Sequence, residues 1–214
     1  MKAWIEGFLS RTVLVLFLFV NVPVPAAEVL PDQEDGQNFL PANHFAQGRY
    51  EAALTSGALF SPFVATHRRP VIDYTLTGLQ VGFMLGDAHA SSSVRGNFEF
   101  AADTFGSAIF EGSGTYIAGE TFWLRYNWLP RKPCGLVPYA QGGTGFVFTD
   151  IDRGIVGQRF NFNLDLGIGA RYFFTRQCSL DLEYRYQHIS NADLGRHNLG
   201  INAHGPILGV SYFF

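Results

Sequence analysis

The chain has 214 residues, which suits one domain with or without a processed segment. Its formal net charge is −3 and only 15% of its residues are charged, which argues against a basic surface for nucleic acid or anionic membranes. Aromatic residues make up 15%, with 21 Phe, and 24 residues are Gly. That mixture favours strands with large outward rings and small inward residues over a soluble core, which would depend more on Leu, Ile and Val.

The N-terminus has the three parts of a secretory signal. Lys2 and Arg11 supply positive charge, residues 12–22 form a short apolar run, and small residues follow up to Ala27. The apolar run is about half of the ~20 residues that a membrane-spanning helix needs. The sequence therefore predicts a signal peptide over 1–27 in preference to a membrane anchor.

A polar lead-in at 28–48 precedes a predicted barrel at 49–214. In this part apolar residues alternate with polar or very small ones, and alternate side chains of a strand point to opposite faces. The clearest segment is Phe160–Phe174, where even positions up to Tyr172 are apolar and odd positions carry Asn, Asp, Gly and Arg. We count eight strands: Glu51–Ala65, Val71–Leu85, Val94–Thr104, Tyr116–Trp128, Leu136–Phe148, Phe160–Phe174, a seventh through Leu180 to Tyr186, and a last through Leu208 to Phe214.

The placement of charges decides which face points inward. Asp181, Glu183 and Arg185 share one face of the seventh strand, where they are expected to pair in a polar lumen, while the aromatic face suits hydrocarbon. A soluble lipocalin-like barrel would place them the other way round. We therefore predict an all-β, eight-stranded antiparallel transmembrane β-barrel of the bacterial outer membrane, with both termini in the periplasm. The terminal Phe214 resembles the signal that outer-membrane assembly machinery recognises.

The two cysteines fall in turns that are predicted to lie on the periplasmic rim. Cys134 ends the connection between strands four and five, and Cys178 ends the turn between strands six and seven. They are separated by about two strand spacings, roughly 9–10 Å, which exceeds the usual Cα separation of a disulfide. A disulfide and two free thiols both remain open. Neither the cysteines nor the six histidines have metal-ligand spacing, so we expect neither a metal site nor a cofactor.

One pair of residues carries nucleophilic chemistry. His188 and Ser190 lie two apart on the seventh strand, so they share its outward face with Cα atoms about 6.6 Å apart. Counting back from Phe214 places Asn202 and His204 on the outward face of the eighth strand, where either is expected beside His188. Taken singly, an interfacial histidine and a serine at a strand end are common structural features, and no Gly-x-Ser-x-Gly motif or phosphate-binding loop is present.

These residues carry a family resemblance. The string His188-Ile-Ser190-Asn191-Ala192 ends the penultimate strand, and Asn198-Leu-Gly200-Ile-Asn202 leads into a last strand that ends on Phe. This stretch of about thirty residues resembles the lipid A 3-O-deacylase PagL family, whose members are eight-stranded outer-membrane barrels.

The resemblance implies a role for each residue. Ser190 would be the nucleophile and His188 the general base, in hydrolysis of the ester-linked 3-hydroxyacyl chain at position 3 of lipid A. Backbone N–H groups at Asn191, Ala192 or Asp193 would bind the oxyanion. The family's third catalytic residue is a glutamate twelve positions after the serine, and here that position is Asn202. Asn202 would then orient the imidazole, with Asp193 as an alternative.

The sequence leaves three functions to be distinguished. The first is a calcium-independent lipid A 3-O-deacylase whose partners are lipopolysaccharide and outer-membrane lipids. The second is a non-catalytic barrel with a structural or adhesion role. The third is a lipase or phospholipase barrel, for which the sequence supplies no acidic calcium ligands.

Overall fold

The computed structural model describes residues 44–62, 70–87, 95–130 and 135–214. Eight antiparallel strands pair in chain order and close into one barrel, in which β1 also pairs with β8. This confirms the predicted architecture. The predicted signal peptide, and the lead-in up to residue 43, lie outside the described residues. The elements are β1 (Tyr50–Leu59), β2 (Asp73–Met84), β3 (Gly96–Glu111), β4 (Tyr116–Trp128), β5 (Leu136–Thr149), a one-turn helix α1 (Arg153–Val156), β6 (Phe160–Phe173), β7 (Cys178–Ser190) and β8 (Ile201–Phe213).

Two predicted strand ends are wrong. β1 ends at Leu59 rather than at Ala65. Just beyond it, the Ser61 backbone N–H donates to Asp73 Oδ1 at 2.8 Å and the Ser61 hydroxyl donates to Ile72 O, so the chain is held by these bonds at the start of β2 instead of continuing the strand. β3 continues beyond Thr104 to Glu111. Its pairing with β4 runs unbroken through small residues as far as Ala108, and its last residues pair with β2, ending with Glu111 opposite Asp73. The helix α1 has too few residues to produce a periodic signal.

The register around the barrel fixes the tilt of the strands. A row of directly paired residues leaves β7 at Ser190 and crosses every other strand once. It returns to β7 at Leu180, ten residues closer to the start of the strand, so the shear number is ten. For eight strands this stagger requires a tilt of roughly 35–45° from the barrel axis. We call the end of the barrel that carries Ser190 the upper rim. The opposite end, where β1 begins and β8 ends, is the lower rim.

The outside of the barrel is apolar. Large apolar side chains on all eight strands are exposed, including Leu54, Val81 and Ile168, and Ile168 retains 67% of its accessible surface. A water-soluble monomer does not leave a continuous apolar surface of this extent, whereas a barrel in a bilayer requires it. Among the described residues, no helix has the length and hydropathy to span a membrane.

The middle of the lumen contains a layer of buried ion pairs. Arg171 Nη2 lies 2.6 Å from Glu51 Oε2, and Arg125 Nη1 lies 3.2 Å from Glu99 Oε1. The predicted inward pairing on β7 is present in the same layer: Arg185 Nε lies 2.7 Å from Glu183 Oε1. All of these side chains are at most 5% exposed. Charges buried in this way are stable only when they are paired.

Both ends of the lumen are apolar, which the sequence did not predict. The lower end is closed by Phe45, just before β1, which packs against Phe173 and Phe213. The upper end is filled by a cluster that includes Ile189 and Ile201 and reaches Val156 of α1. The lumen is therefore a packed core rather than an open channel.

The ionic layer predicts a specific stability effect. Arg171→Ala leaves Glu51 and Glu99 short of one buried cation, and breaking a buried pair in this way costs about 3–5 kcal/mol. We expect the urea midpoint of the protein refolded in lipid vesicles, followed by Trp fluorescence, to fall accordingly. Arg196→Ala, which removes an exposed arginine from the loop before β8, is the control and is expected to unfold like the wild type. Equal midpoints for both variants would show that the ionic layer does not stabilise the barrel.

Candidate active site on the outer face of the barrel

The outward row of β7 changes from apolar to polar as it approaches the upper rim. Leu182 and Tyr184 are exposed, while Tyr186, His188 and Ser190 are each half-buried. The intervening residues, ending with Ile189, face the lumen and are buried. His188 and Ser190 therefore lie outside the barrel, on the face that alternation predicts for them.

Strand β8 brings a polar partner to His188. Asn202 is the direct cross-strand neighbour of His188, and His188 Nδ1 lies 2.7 Å from Asn202 Oδ1. An amide oxygen only accepts hydrogen bonds, so the imidazole carries its proton on Nδ1. The Nε2 atom then has a free lone pair, which is the tautomer that a general base requires.

The other predicted neighbour does not reach His188. His204 lies directly opposite Tyr186, but its Nδ1 bonds to the hydroxyl of Tyr184, in the next outward-facing pair below. The hydroxyl of Tyr186 donates instead to Asn202 Oδ1 at 2.7 Å. Asn202 therefore accepts two hydrogen bonds on a single oxygen. Tyr186 was not identified from the sequence, because its position in the outward row of β7 made it look like one more apolar residue.

Ser190 faces a different environment. Its direct neighbour on β6 is Phe162. This ring belongs to a patch of four exposed phenylalanines on β5 and β6, namely Phe146, Phe148, Phe160 and Phe162. Among the described residues, Ser190 and His188 share a face but form no hydrogen bond with each other. Catalytic hydrogen bonds are often long in enzymes without substrate and shorten when substrate binds. The site thus places an aliphatic hydroxyl between an imidazole and an apolar surface.

Gly200 makes room for the imidazole. Its φ is +68°, in the left-handed region that favours glycine, and β8 begins at the next residue. A Cβ at this position would lie 3.1 Å from His188 Cε1, closer than most real contacts, and 3.8 Å from Nε2. The chain therefore passes close to the edge of the ring that carries Nε2. From the sequence alone this glycine was only one member of a motif, without a structural reason for it.

Beyond Ser190 the strand ends in a loop that Asn191 holds in place. The Asn191 side chain is fully buried, and its Nδ2 donates to Val156 O at 3.0 Å and to His197 O at 2.8 Å. The first bond ties the β7–β8 loop to α1. Ala192 and Asp193 then adopt left-handed φ values of 53° and 60°, which is rare for residues other than glycine. Strain of this kind persists only where the surroundings enforce it.

The candidate oxyanion donors differ in their availability. The backbone N–H of Asn191 already donates to Asn198 Oδ1 at 3.2 Å. Within the described part of the chain, the N–H of Ala192 has no acceptor, and the residue is exposed. Asp193 accepts a hydrogen bond from Asn198 Nδ2 at 2.8 Å and makes no bond to His188. The alternative of Asp193 as the orienting residue is therefore not realised in this arrangement.

The loop that contacts Asn191 is itself anchored. Thr115 donates to Asp150 through its hydroxyl at 2.6 Å and through its backbone N–H at 2.7 Å. Burial alone would raise the pKa of Asp150, but these bonds and one from the backbone of Tyr116 outweigh burial and lower the pKa. The carboxylate therefore stays ionised and fixes the start of the β5–β6 loop.

Cys178 begins β7 at the lower rim, away from the candidate site, and its half-buried thiol has no disulfide partner among the described residues. Cys134 lies outside the described residues, so a disulfide between the two cysteines remains open. Over the described ranges, no group of three or more His, Cys, Asp or Glu side chains is arranged to hold a metal ion.

Comparison with known proteins identifies the family. The family model of PagL, described as lipid A 3-O-deacylase, matches residues 78–211. The chain belongs to the PagL family. The matched region contains seven of the eight strands in whole or in part, together with the whole of the site.

Solved structures share the fold of this chain. The outer membrane enzyme PagL superposes with a TM-score of 0.53 at 15% identity, covering 75% of this chain and 98% of that one. Neisserial surface protein A superposes with a TM-score of 0.54 at 15% identity, covering 78% of this chain and 98% of that one. At this identity the two structures show a shared barrel and nothing about the site. A search of curated proteins finds no significant sequence match.

The loop contacts give a prediction that does not depend on the chemistry. Asn191→Ala removes the bonds to Val156 O and His197 O, so the β7–β8 loop should separate from α1. We expect the Leu199 amide, which donates to Ile155 O at 2.9 Å, to exchange with deuterium at least ~10-fold faster, because two lost hydrogen bonds are worth roughly 1–3 kcal/mol. Amides in the middle of β7 serve as the internal control. Unchanged exchange at Leu199 would show that Asn191 does not hold the loop.

Proposed function

We propose that this chain is a lipid A 3-O-deacylase that hydrolyses the ester-linked 3-hydroxyacyl chain at position 3, with Ser190 as nucleophile and His188 as general base. The observation that carries the proposal is the alignment of Asn202 Oδ1, His188 and Ser190 on the outside of a PagL-family barrel. The bond to Asn202 leaves His188 Nε2 free on the ring edge beside Gly200.

The outward position suits a lipid substrate. An ester in the outer leaflet stays at the interface between hydrocarbon and sugar, and it cannot enter a lumen filled with ion pairs and apolar side chains. A nucleophile on the outer face at the upper rim meets that ester without removing the lipid from the membrane. The phenylalanine patch beside Ser190 offers an apolar surface to the acyl chain.

The reaction follows from the groups present. His188 Nε2 accepts the Ser190 proton as Oγ attacks the ester carbonyl, and the negative charge moves to the carbonyl oxygen. The unpartnered N–H of Ala192 supports this oxyanion. When the tetrahedral intermediate collapses, the sugar oxygen leaves with the proton from His188. Water, deprotonated by the same imidazole, then attacks the acyl-serine ester, which releases the hydroxy fatty acid and restores Ser190.

Asn202 fulfils only part of the role of the family's glutamate, because it can orient the imidazole but carries no charge. In serine proteases, replacing the triad aspartate with asparagine lowers kcat by about 10⁴, because the amide leaves the imidazole in the wrong tautomer. Here the amide presents its oxygen to Nδ1, so the correct tautomer is kept. What the amide lacks is the negative charge that stabilises the imidazolium. We infer an active enzyme that is slower than one with a carboxylate at this position.

The direct test is the mass spectrum of lipid A from cells that express the protein. We expect wild-type protein to remove one 3-hydroxyacyl chain, and Ser190→Ala and His188→Ala each to abolish the loss. Ser56→Ala, which changes another outward serine on β1, is the matched control and should retain activity. All variants should remain heat-modifiable on gels, which shows a folded barrel. Full-length acyl chains with folded wild-type protein would instead support a structural or adhesion barrel.

A second prediction concerns the missing charge. Asn202→Glu should raise the rate at neutral pH by about 10-fold or more, because a carboxylate beside the imidazole stabilises the cation formed in the transition state. A rate identical to wild type would show that position 202 does not act on His188.

A further inference from the structure

Two hydrogen-bond donors, one hydroxyl and one imidazole N–H, converge on a single amide oxygen close to the candidate nucleophile. His188 Nδ1 and the Tyr186 hydroxyl each lie 2.7 Å from Asn202 Oδ1. An amide oxygen has two lone pairs, so its accepting capacity is filled. Asn202 is only 9% exposed, so little water competes for these positions. The two bonds therefore determine which way the amide faces.

The direction of the amide decides whether His188 can act as a base. If the Asn202 side chain turned over, its NH₂ group would face the ring, and Nδ1 would have to accept. The imidazole proton would then move to Nε2, the atom that must take the proton of Ser190. A carboxylate at position 202 has no such alternative, because both of its oxygens accept. An asparagine at this position thus needs a neighbour that distinguishes its two ends.

Tyr186 is placed to make that distinction. Its hydroxyl reaches diagonally across the β7–β8 ladder, since its direct neighbour is His204 and Asn202 lies in the next outward-facing pair above. A phenol is a stronger donor than acceptor, because its lone pairs are partly delocalised into the ring. It therefore favours the carbonyl end of the amide over the NH₂ end.

We propose that Tyr186 is a positioning residue that holds the Asn202 amide with its oxygen toward His188, and so keeps the imidazole in its base-competent tautomer. The proposal rests on the proposed function, in which His188 Nε2 is the base. Among the described contacts, the Tyr186 hydroxyl makes no hydrogen bond to Ser190 or His188. Its effect passes through Asn202 alone.

The same strand supplies a matched control. Tyr184 lies on the same face two residues below, and its hydroxyl makes the same diagonal contact with a β8 side chain, His204 Nδ1. Tyr184→Phe and Tyr186→Phe therefore remove the same atom from the same kind of cross-strand bond. Only Tyr186→Phe removes a bond to Asn202.

The first experiment measures the His188 tautomer directly. ¹⁵N chemical shifts of the imidazole, recorded on the folded protein in lipid or detergent at a pH where the ring is neutral, distinguish a proton on Nδ1 from one on Nε2. We expect the wild type and Tyr184→Phe to show the Nδ1–H form. We expect Tyr186→Phe to show a substantial Nε2–H fraction. An unchanged Nδ1–H signal in Tyr186→Phe would overturn the proposal.

The second experiment is a double-mutant cycle on deacylation in membranes. Tyr186→Phe should lower the rate about 10-fold when Asn202 is present, and by less than about 2-fold in the Asn202→Glu background, where the carboxylate cannot be reversed. Loss of packing or of barrel stability would lower the rate equally in both backgrounds. Equal losses would therefore contradict a positioning role.

The two readouts separate this proposal from the proposed function. If the folded wild-type protein released no acyl chain, the deacylase assignment would fail, yet the tautomer measurement would still decide whether Tyr186 orients Asn202. If the wild type deacylated lipid A and Tyr186→Phe changed neither tautomer nor rate, only the positioning role would fail.

Discussion

The register of the closed ladder is the constraint on which the site depends. Because side chains alternate with a period of two, a slip of one residue between β7 and β8 would turn Asn202 into the lumen and leave His188 alone on the outside. A closed barrel with a fixed shear has no free edge at which such a slip can begin. The buried ion pairs strengthen this constraint, since a slip that turned over β7 instead of β8 would bring Glu183 and Arg185 to face lipid. The core on one face of β7 therefore determines the chemistry on the other.

The parts of the structure that follow from alternation were predictable, and those that follow from contacts between loops were not. His188, Ser190 and Asn202 fall on the outer face by parity alone, and counting strands places them at one rim. The pairing of His188 with Asn202 rather than His204 required the register, which parity leaves open. The family resemblance pointed to position 202 but could not show that the amide oxygen faces the ring.

Other features left no periodic signal. The contact between Asn191 and Val156 joins a strand end to a one-turn helix 35 residues away, and neither segment reveals the other. The apolar upper end of the lumen was missed for a similar reason, because it is assembled from single residues such as Leu59 and Ile201 at the ends of different strands. Tyr186 was missed because a tyrosine in an outward row is read as a lipid-facing ring. Only its position diagonal to Asn202 shows that the hydroxyl has a specific partner.

The amide at position 202 links stability to catalysis. A carboxylate there would be nearly buried against the outer face of the barrel, where desolvating a charge costs several kcal/mol unless it is fully paired. An amide avoids that cost, and it satisfies its oxygen with two neutral donors. The consequence is that the imidazolium loses its countercharge, while the neutral imidazole keeps its orientation. In the positioning role proposed for it, Tyr186 distinguishes the two unlike ends of the amide, but it cannot supply a charge. Under the proposed mechanism, the site would therefore prepare the base well and stabilise the transition state less, as expected when a neutral residue stands in place of a charged triad residue at a lipid-facing surface.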